Sequence, residues 1–193
     1  CATCDGFFFR DKRVAVVGGG DSALEEALFL TKFASEVVLI HRRDEFRGSR
    51  IMQNRAKTHP KISIEWNTRV TDVLGEDKIE ALELTDTQSG EKREMPIEGL
   101  YIAIGHKPNT DVFKEYLDVD DKGYLEVEDH THSNIEGVFV AGDVHDHRYR
   151  QAITAAGDGC RAAIDAERWL EEQGDEGAAV GSTASETASS TTS

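Results

Sequence analysis

Hydrophobic and polar positions follow three successive regimes along this chain. Arg13 to Val17 is a short apolar run, Val-Ala-Val-Val, that ends directly in Gly18-Gly19-Gly20-Asp21-Ser22-Ala23. Ala23, Leu24, Ala27, Leu28, Leu30 and Phe33 then recur at helical spacing, with Glu25, Glu26 and Lys32 on the opposite face, which predicts a helix opening on the glycine turn. Glu36 to Ile40 supplies a second apolar strand. Strand, glycine turn, helix and strand together predict a β-α-β unit with a right-handed crossover.

From Lys61 the pattern shortens. Ile62 to Trp66, Val70 to Leu74 and Ile79 to Thr85 read as strands, with Leu82 and Leu84 alternating with acids, and the arrangement predicts an antiparallel meander. Gln88-Ser89-Gly90 marks a turn, and Leu100 to Ile104 is a buried strand leading into the turn-rich Gly105-His106-Lys107-Pro108-Asn109. A domain boundary or hinge is expected at 104–110. The third regime holds strands at Tyr124 to Val127 and Val138 to Ala141 and a helix from Gln151 to Glu172 whose apolar side includes Ile153, Ala156, Cys160 and Trp169. Residues 173–193, rich in Gly, Ala, Ser and Thr, cannot build a core and are expected to form a disordered tail. The fold class is therefore α/β: a Rossmann-like dinucleotide-binding domain with an antiparallel β-meander over 1–105, followed by a second domain over 106–172.

Composition narrows what this fold could serve. The 193 residues are 38% hydrophobic, enough for a real core, and no apolar run is long enough to span a bilayer, so no membrane partner and a cytoplasmic location are expected. With 37 acidic against 22 basic residues the net charge is −15, which argues against a nucleic-acid partner. The chain starts at a cysteine that runs straight into structure, and it reads as amino-terminally truncated.

Chemistry concentrates in two places. Cys1-Ala2-Thr3-Cys4-Asp5-Gly6 sets two thiols one turn apart beside a carboxylate, a dozen residues before the glycine turn. A Cys-x-x-Cys pair can cycle between dithiol and disulfide. The competing use, half of a zinc site, lacks ligands, because Cys160 is distant and alone; no metal is expected, and His130, His132, His145 and His147 are read as loop histidines. In the glycine turn, Gly18 and Gly20 permit a tight bend and close backbone approach, while Asp21, Ser22 and Ala23 open the helix whose free N–H groups face a pyrophosphate. The second strand ends in His41-Arg42-Arg43, with Arg47 and Arg50 close behind. An NAD site places an acid there, whereas guanidinium groups suit the 2′-phosphate of NADP.

Five ordered motifs, Cys-Ala-Thr-Cys-Asp-Gly, Gly-Gly-Gly-Asp-Ser-Ala, His-Arg-Arg-Asp-Glu-Phe-Arg, Ala-Ile-Gly-His-Lys-Pro-Asn-Thr and Gly-Val-Phe-Val-Ala-Gly-Asp-Val, closely resemble the bacterial low-molecular-weight thioredoxin reductases over residues 1 to about 172. The resemblance implies a relay from NADPH through FAD and a disulfide to thioredoxin, in a homodimer. It implies that Cys4 faces the flavin, that Cys1 attacks the protein substrate, that Asp5 shuttles the proton, and that Phe7 and Phe8 receive thioredoxin. Gly142 and Asp143 match a flavin-contacting segment, Arg150, Gln151 and Ala152 match residues at the flavin ring and helix start, and Ile104 and Gly105 join the cofactor-binding set. The family rotates its NADP domain against its FAD domain, with one hinge expected at Gly105 to Asn109. One departure stands out: no second glycine turn for the ADP half of FAD occurs in residues 1–193, so 106–172 corresponds to the carboxy-terminal part of the FAD domain. Two alternatives share these motifs: the reductase partner of an alkyl hydroperoxide peroxidase, and a non-catalytic NADP-binding redox sensor.

Overall fold

The computed structural model describes residues 2–186, and the chain divides into two compact units, Cys1–Gly105 and His106–Ser193. Unit 1 begins with a single helical turn, α1 (Ala2–Asp5), and a 3-10 turn (Gly6–Phe9). There follow β1 (Arg13–Gly18), α2 (Asp21–Leu30), β2 (Glu36–Ile40), α3 (Arg50–Lys57) and β3 (Ile62–Glu65), then β4 (Thr68–Leu74), β5 (Ala81–Asp86), β6 (Lys92–Pro96) and β7 (Gly99–Ala103).

Two sheets result. The parallel one has the order β3-β2-β1-β7, and the antiparallel one the order β4-β5-β6. β1 and β2 are apolar on both faces because both faces are covered. Val14, Val16, Val37 and Leu39 turn toward α2 and α3, joining Leu24, Ala27 and Leu30. Ala15, Val38 and Ile40 turn the other way and pack on Leu82, Leu84, Met95 and Ile97, so the antiparallel sheet roofs the second face. The chain from 62 onward is thus not one meander. Ile62–Glu65 pairs parallel with β2, because its apolar residues complete the α2/α3 side of the core.

Two elements were not expected from the pattern. α3 buries only Ala56 fully, so its apolar stripe is too narrow to register. β6 is charged and ends in proline, which an edge strand tolerates, and it buries Met95 alone.

Unit 2 has a small core of Leu117, Leu125 and Val140 supported by Val119, Val127 and Val144. The strands expected at Tyr124–Val127 and Val138–Ala141 do not form ladders. The region instead holds single bridges, Val119 with Leu125, Glu128 with His132 and His132 with Phe139, since an extended segment becomes a strand only when a neighbour satisfies its row of N–H and C=O groups. A 3-10 turn (Gly142–Val144) leads to α4 (Ala152–Glu186). The helix expected to stop at Glu172 continues to Glu186, since no proline interrupts it; the rest of the expected tail, 187–193, lies outside the described residues. α4 is tied to the unit by Thr131 Oγ1 donating to Asp165 at 2.5 Å and Trp169 Nε1 donating to Glu136 at 3.2 Å.

Leu82 is fully buried at the junction of the two sheets. Leu82→Ala should lower unfolding free energy by about 2–5 kcal/mol in urea titration; a loss under about 1 kcal/mol would mean that the antiparallel sheet does not close this core.

Candidate nucleotide and dithiol site

The three glycines after β1 do three different jobs. Gly18 pairs with Ala103 of β7, and a Cβ on it would lie 2.4 Å from the Ala103 carbonyl oxygen and 2.6 Å from Ala23 Cβ. Backbone, neighbouring strand and helix therefore meet where only a hydrogen fits. A Cβ on Gly19 would fall 2.3 Å from the His41 ring. Gly20 is the N-cap of α2, extended at φ −93° and ψ 179°, and a Cβ there meets nothing within 4 Å. That open side leaves the unpaired N–H groups of the first helical turn accessible. Ala23 is buried beneath the turn, and Ser22 is exposed on the cleft.

The basic loop after β2 is pinned to this turn. The Gly19 carbonyl accepts from Arg47 N at 2.7 Å and Gly48 N at 3.0 Å. The Asp21 carboxylate accepts from Ser49 N at 2.8 Å, so Asp21 organises the loop instead of reaching into the cleft. Gln53 of α3 donates to the Phe46 and Gly48 carbonyls at 3.1 and 2.8 Å. Glycine turn, loop and α3 are thereby one construction.

Between them lies a cleft of about 490 Å³. Arg42, Arg47 and Arg69 line it, and no Asp or Glu does. Neither Arg42 nor Arg47 forms an ion pair among the described residues. Arg43 is exposed but does not line the cleft. Arg69, on β4, was missed by sequence reasoning because it comes from the other sheet. Ile104, 69% exposed, and Gly105, at φ +101°, border the same cleft.

His41 sits at its floor, buried against Phe46 and Trp66 with ring centroids 5.5 and 6.2 Å away. Burial drives its pKa below 6.5, the Arg43 and Arg47 charges push the same way, and backbone acceptors at Gly18 and Glu45 oppose them. The ring is therefore neutral at pH 7, and its buried Nε2 has no hydrogen-bond partner. Free helix-start N–H groups and three guanidinium groups form a donor set that fits an anionic nucleotide, with the unpartnered Nε2 of neutral His41 beneath it.

The dithiol segment packs at the other end of α2. Gly6 lies against Leu30 and Phe33, where a Cβ would come within 3.2 and 3.3 Å. The glycine turn, at the amino end of this 10-residue helix, is about 15 Å away along its axis. Cys1 lies outside the described residues. Cys4 is exposed, as is Asp5, which precedes the 3-10 turn without capping it by its side chain. Phe7 and Phe8 are 60% and 71% exposed, and Phe7 is braced edge-on by Phe33 and capped by the Arg10 guanidinium, 5.2 Å from its ring centre.

In unit 2, Gly142 at φ +78° opens the 3-10 turn that carries exposed Asp143. Asp146 shapes the loop that follows, accepting from the N–H groups of Arg148, Tyr149 and Arg150 at 3.0, 2.9 and 3.2 Å. Burial raises the Asp146 pKa, but these donors outweigh it and hold the group below the usual 3.8. Arg150, at φ +48°, donates from Nη1 to His106 Nδ1 at 2.6 Å. Gln151 and Ala152 follow at the start of α4. The 3-10 turn lies against α4, where a Cβ on Gly142 would stand 3.5 Å from Ala155 Cβ, and the Asp146 loop carries the chain from Asp143 to Arg150 at the helix start. His145 instead meets Asp158, at 3.2 Å.

A parallel-sheet unit with a glycine turn and an arginine-lined cleft, in a chain whose sequence carries a Cys-x-x-Cys motif, defines a class of dinucleotide-binding protein. Residues 1–159 match the family model of the pyridine nucleotide-disulphide oxidoreductases, and the chain belongs to that family. It is 58% identical over 171 residues to a thioredoxin reductase of Streptomyces clavuligerus, covering 88% of this chain and 53% of the relative. A thioredoxin reductase of Mycolicibacterium smegmatis is 55% identical over 174 residues, covering 90% and 56%. Among solved structures, the thioredoxin reductase of Streptococcus pyogenes superimposes with a TM-score of 0.80 at 39% identity, over 89% of this chain and 56% of the other. The chain spans about half the length of the curated relatives it matches.

Two stability measurements check the site. Gly18→Ala should cost about 1–3 kcal/mol, whereas Gly20→Ala should cost less than about 1 kcal/mol, the N-cap preference alone; equal losses would contradict the different contacts of the two glycines. His41 takes up a proton near 6.5 when unfolded but resists it when folded, so its contribution is complete above pH 6.5 and is lost as pH falls through the lowered folded value. The urea midpoint should therefore fall faster with acidification in the native protein than in His41→Gln; parallel curves would contradict a neutral buried imidazole.

Proposed function

We propose that this chain forms the NADPH-binding and dithiol-bearing part of a thioredoxin reductase, together with part of its flavin-binding region. The observation that carries the reading is the acid-free, three-arginine cleft over a glycine turn in the same unit as the exposed Cys4, supported by the thioredoxin reductases it resembles at 55–58% identity.

The residues divide the work. N–H groups at Gly20 to Ser22 hold the pyrophosphate, with Ala23 packed beneath them, and Arg42, Arg47 and Arg69 hold the 2′-phosphate, with Arg43 adding field from outside the cleft. Neutral His41 offers its unpartnered nitrogen without adding charge. FAD, when bound, supplies the two-electron step between nicotinamide and disulfide, and Asp143, Arg150, Gln151 and Ala152 are the groups of unit 2 that would hold it. With the dithiol reduced, the Cys1 thiolate attacks a sulfur of thioredoxin's disulfide, forming a mixed disulfide and releasing one thioredoxin thiolate. Cys4 then attacks the Cys1 sulfur, so that the Cys1–Cys4 disulfide forms and thioredoxin leaves with both thiols reduced. Asp5, exposed beside Cys4, takes up and returns the proton. Phe7 and Phe8 give the partner an apolar landing site next to Cys4. The reading includes a homodimer and a cytoplasmic setting, where thiols stay reduced; no described helix is long and apolar enough to cross a membrane.

The complete protein supplied with FAD, NADPH and thioredoxin should consume NADPH steadily, and a sensor module would show no sustained consumption. Arg42→Ala with Arg47→Ala should weaken NADPH binding more than NADH binding by about 1.5–3 kcal/mol for each charged partner lost. Equal weakening of both nucleotides would remove the 2′-phosphate assignment.

A further inference from the structure

Among the described residues two buried side-chain polar atoms lack a hydrogen-bond partner: His41 Nε2, at the nucleotide cleft, and the hydroxyl of Tyr101. The nucleotide accounts for the first. The second lies elsewhere, and nothing in the relay uses it.

Tyr101 stands in β7 opposite Val16 of β1 and is 6% exposed. Its ring meets Phe9 edge-on at 5.6 Å and shares a core cluster with Ala2 and Leu30. Ala2 and Phe9 bracket Cys4 and Asp5, so the phenol lies beneath the dithiol segment. Phenylalanine would fill the same volume, and leaving a buried hydroxyl unpaired weakens folding by roughly five- to a hundredfold in the equilibrium constant. A group kept at that cost has a partner in some state of the protein.

Two ionisable groups act on it, Asp5 from α1 and Glu26 from α2, while β1 contributes only Val14 and Val16 to the core cluster that holds the ring. The phenol pKa is pushed up to about 12, first by burial, then by Asp5 and then by Glu26. Asp5 has no ion pair among the described residues, and its side chain caps nothing.

We infer that Tyr101 is a positioning residue for Asp5: when the Ala2–Phe9 segment shifts during thiol–disulfide exchange, the carboxylate closes onto the buried hydroxyl, which holds it ionised and oriented beside the dithiol. The inference rests on the proposed role of Asp5 as proton shuttle. A hydrogen bond donated to a carboxylate favours the charged form, so Asp5 stays ionised until Cys4 attacks the mixed disulfide, takes the Cys4 thiol proton at that moment and passes it to the thiolate that leaves or to solvent.

The test uses the complete protein with Cys160→Ser, reduced at its dithiol, reacting with the small disulfide 5,5′-dithiobis(2-nitrobenzoate) in stopped flow. Tyr101→Phe should slow the exchange about fivefold or more and move the acid limb of its pH profile upward, while its urea midpoint stays equal or rises because the orphan hydroxyl is gone. Asp5→Asn should slow exchange on its own, and Tyr101→Phe should add nothing in the Asp5→Asn background. Multiplying effects, or an unchanged rate and pH profile in Tyr101→Phe, would overturn the inference, as would coupling to Glu26→Gln in place of Asp5→Asn. An Asp5→Asn variant with native exchange rate would sink the Asp5 assignment and this inference with it. Neither nucleotide nor thioredoxin enters the assay, so loss of NADPH turnover would count against the proposed function alone.

Discussion

The site depends on a steric constraint, the closeness with which the backbone at Gly18 and Gly19 passes its neighbours. Gly18 is wedged between the Ala103 carbonyl and Ala23, and Gly19 lies over the His41 ring. Those contacts bring the ends of β1, β2 and β7 and the start of α2 to one place. They also set the Gly19 carbonyl where it can accept from Arg47 and Gly48. Widening the turn by one methyl group would separate the helix end from the arginines, and neither alone makes a nucleotide site.

On the proposed NADPH reading, electrostatics gives the cleft its selectivity. A chain of net charge −15 repels an anionic nucleotide at long range, and salt screens that repulsion within about 10 Å. Attraction must then be local, and it comes from Arg42, Arg47 and Arg69 in a cleft without a carboxylate. Keeping His41 neutral at the floor avoids adding a buried charge that would need its own partner. Asp21, the acid nearest the turn, is committed to Ser49 N and does not line the cleft.

Much of this was legible in the residues. β1, the glycine turn, α2 and β2 follow from periodicity, because each buries a full face or stripe. α3 and β6 were invisible because each buries a single residue completely. The parallel pairing of β3 could not be read from Ile62 to Glu65, since direction is set by which layer needs the apolar residues. In the cleft, Arg42 and Arg47 were readable from their place after β2, and the local sequence also grouped Arg43 with them, although the structure leaves it out. Arg69, the Asp21 hook and the two orphan atoms are products of tertiary contact and leave no local trace.

Unit 1 thus joins two separate devices through one helix. The amino end of α2 serves the cleft, its carboxyl end supports Gly6, and the dithiol segment rests on a core that includes Tyr101. All of it presupposes that the arginine loop is fastened to the glycine turn before any ligand arrives. Amide hydrogen exchange at Arg47, Gly48 and Ser49 without nucleotide examines that fastening most directly. The account predicts slow exchange at all three, comparable to the amides of β2; rates of a free loop at these positions would contradict it.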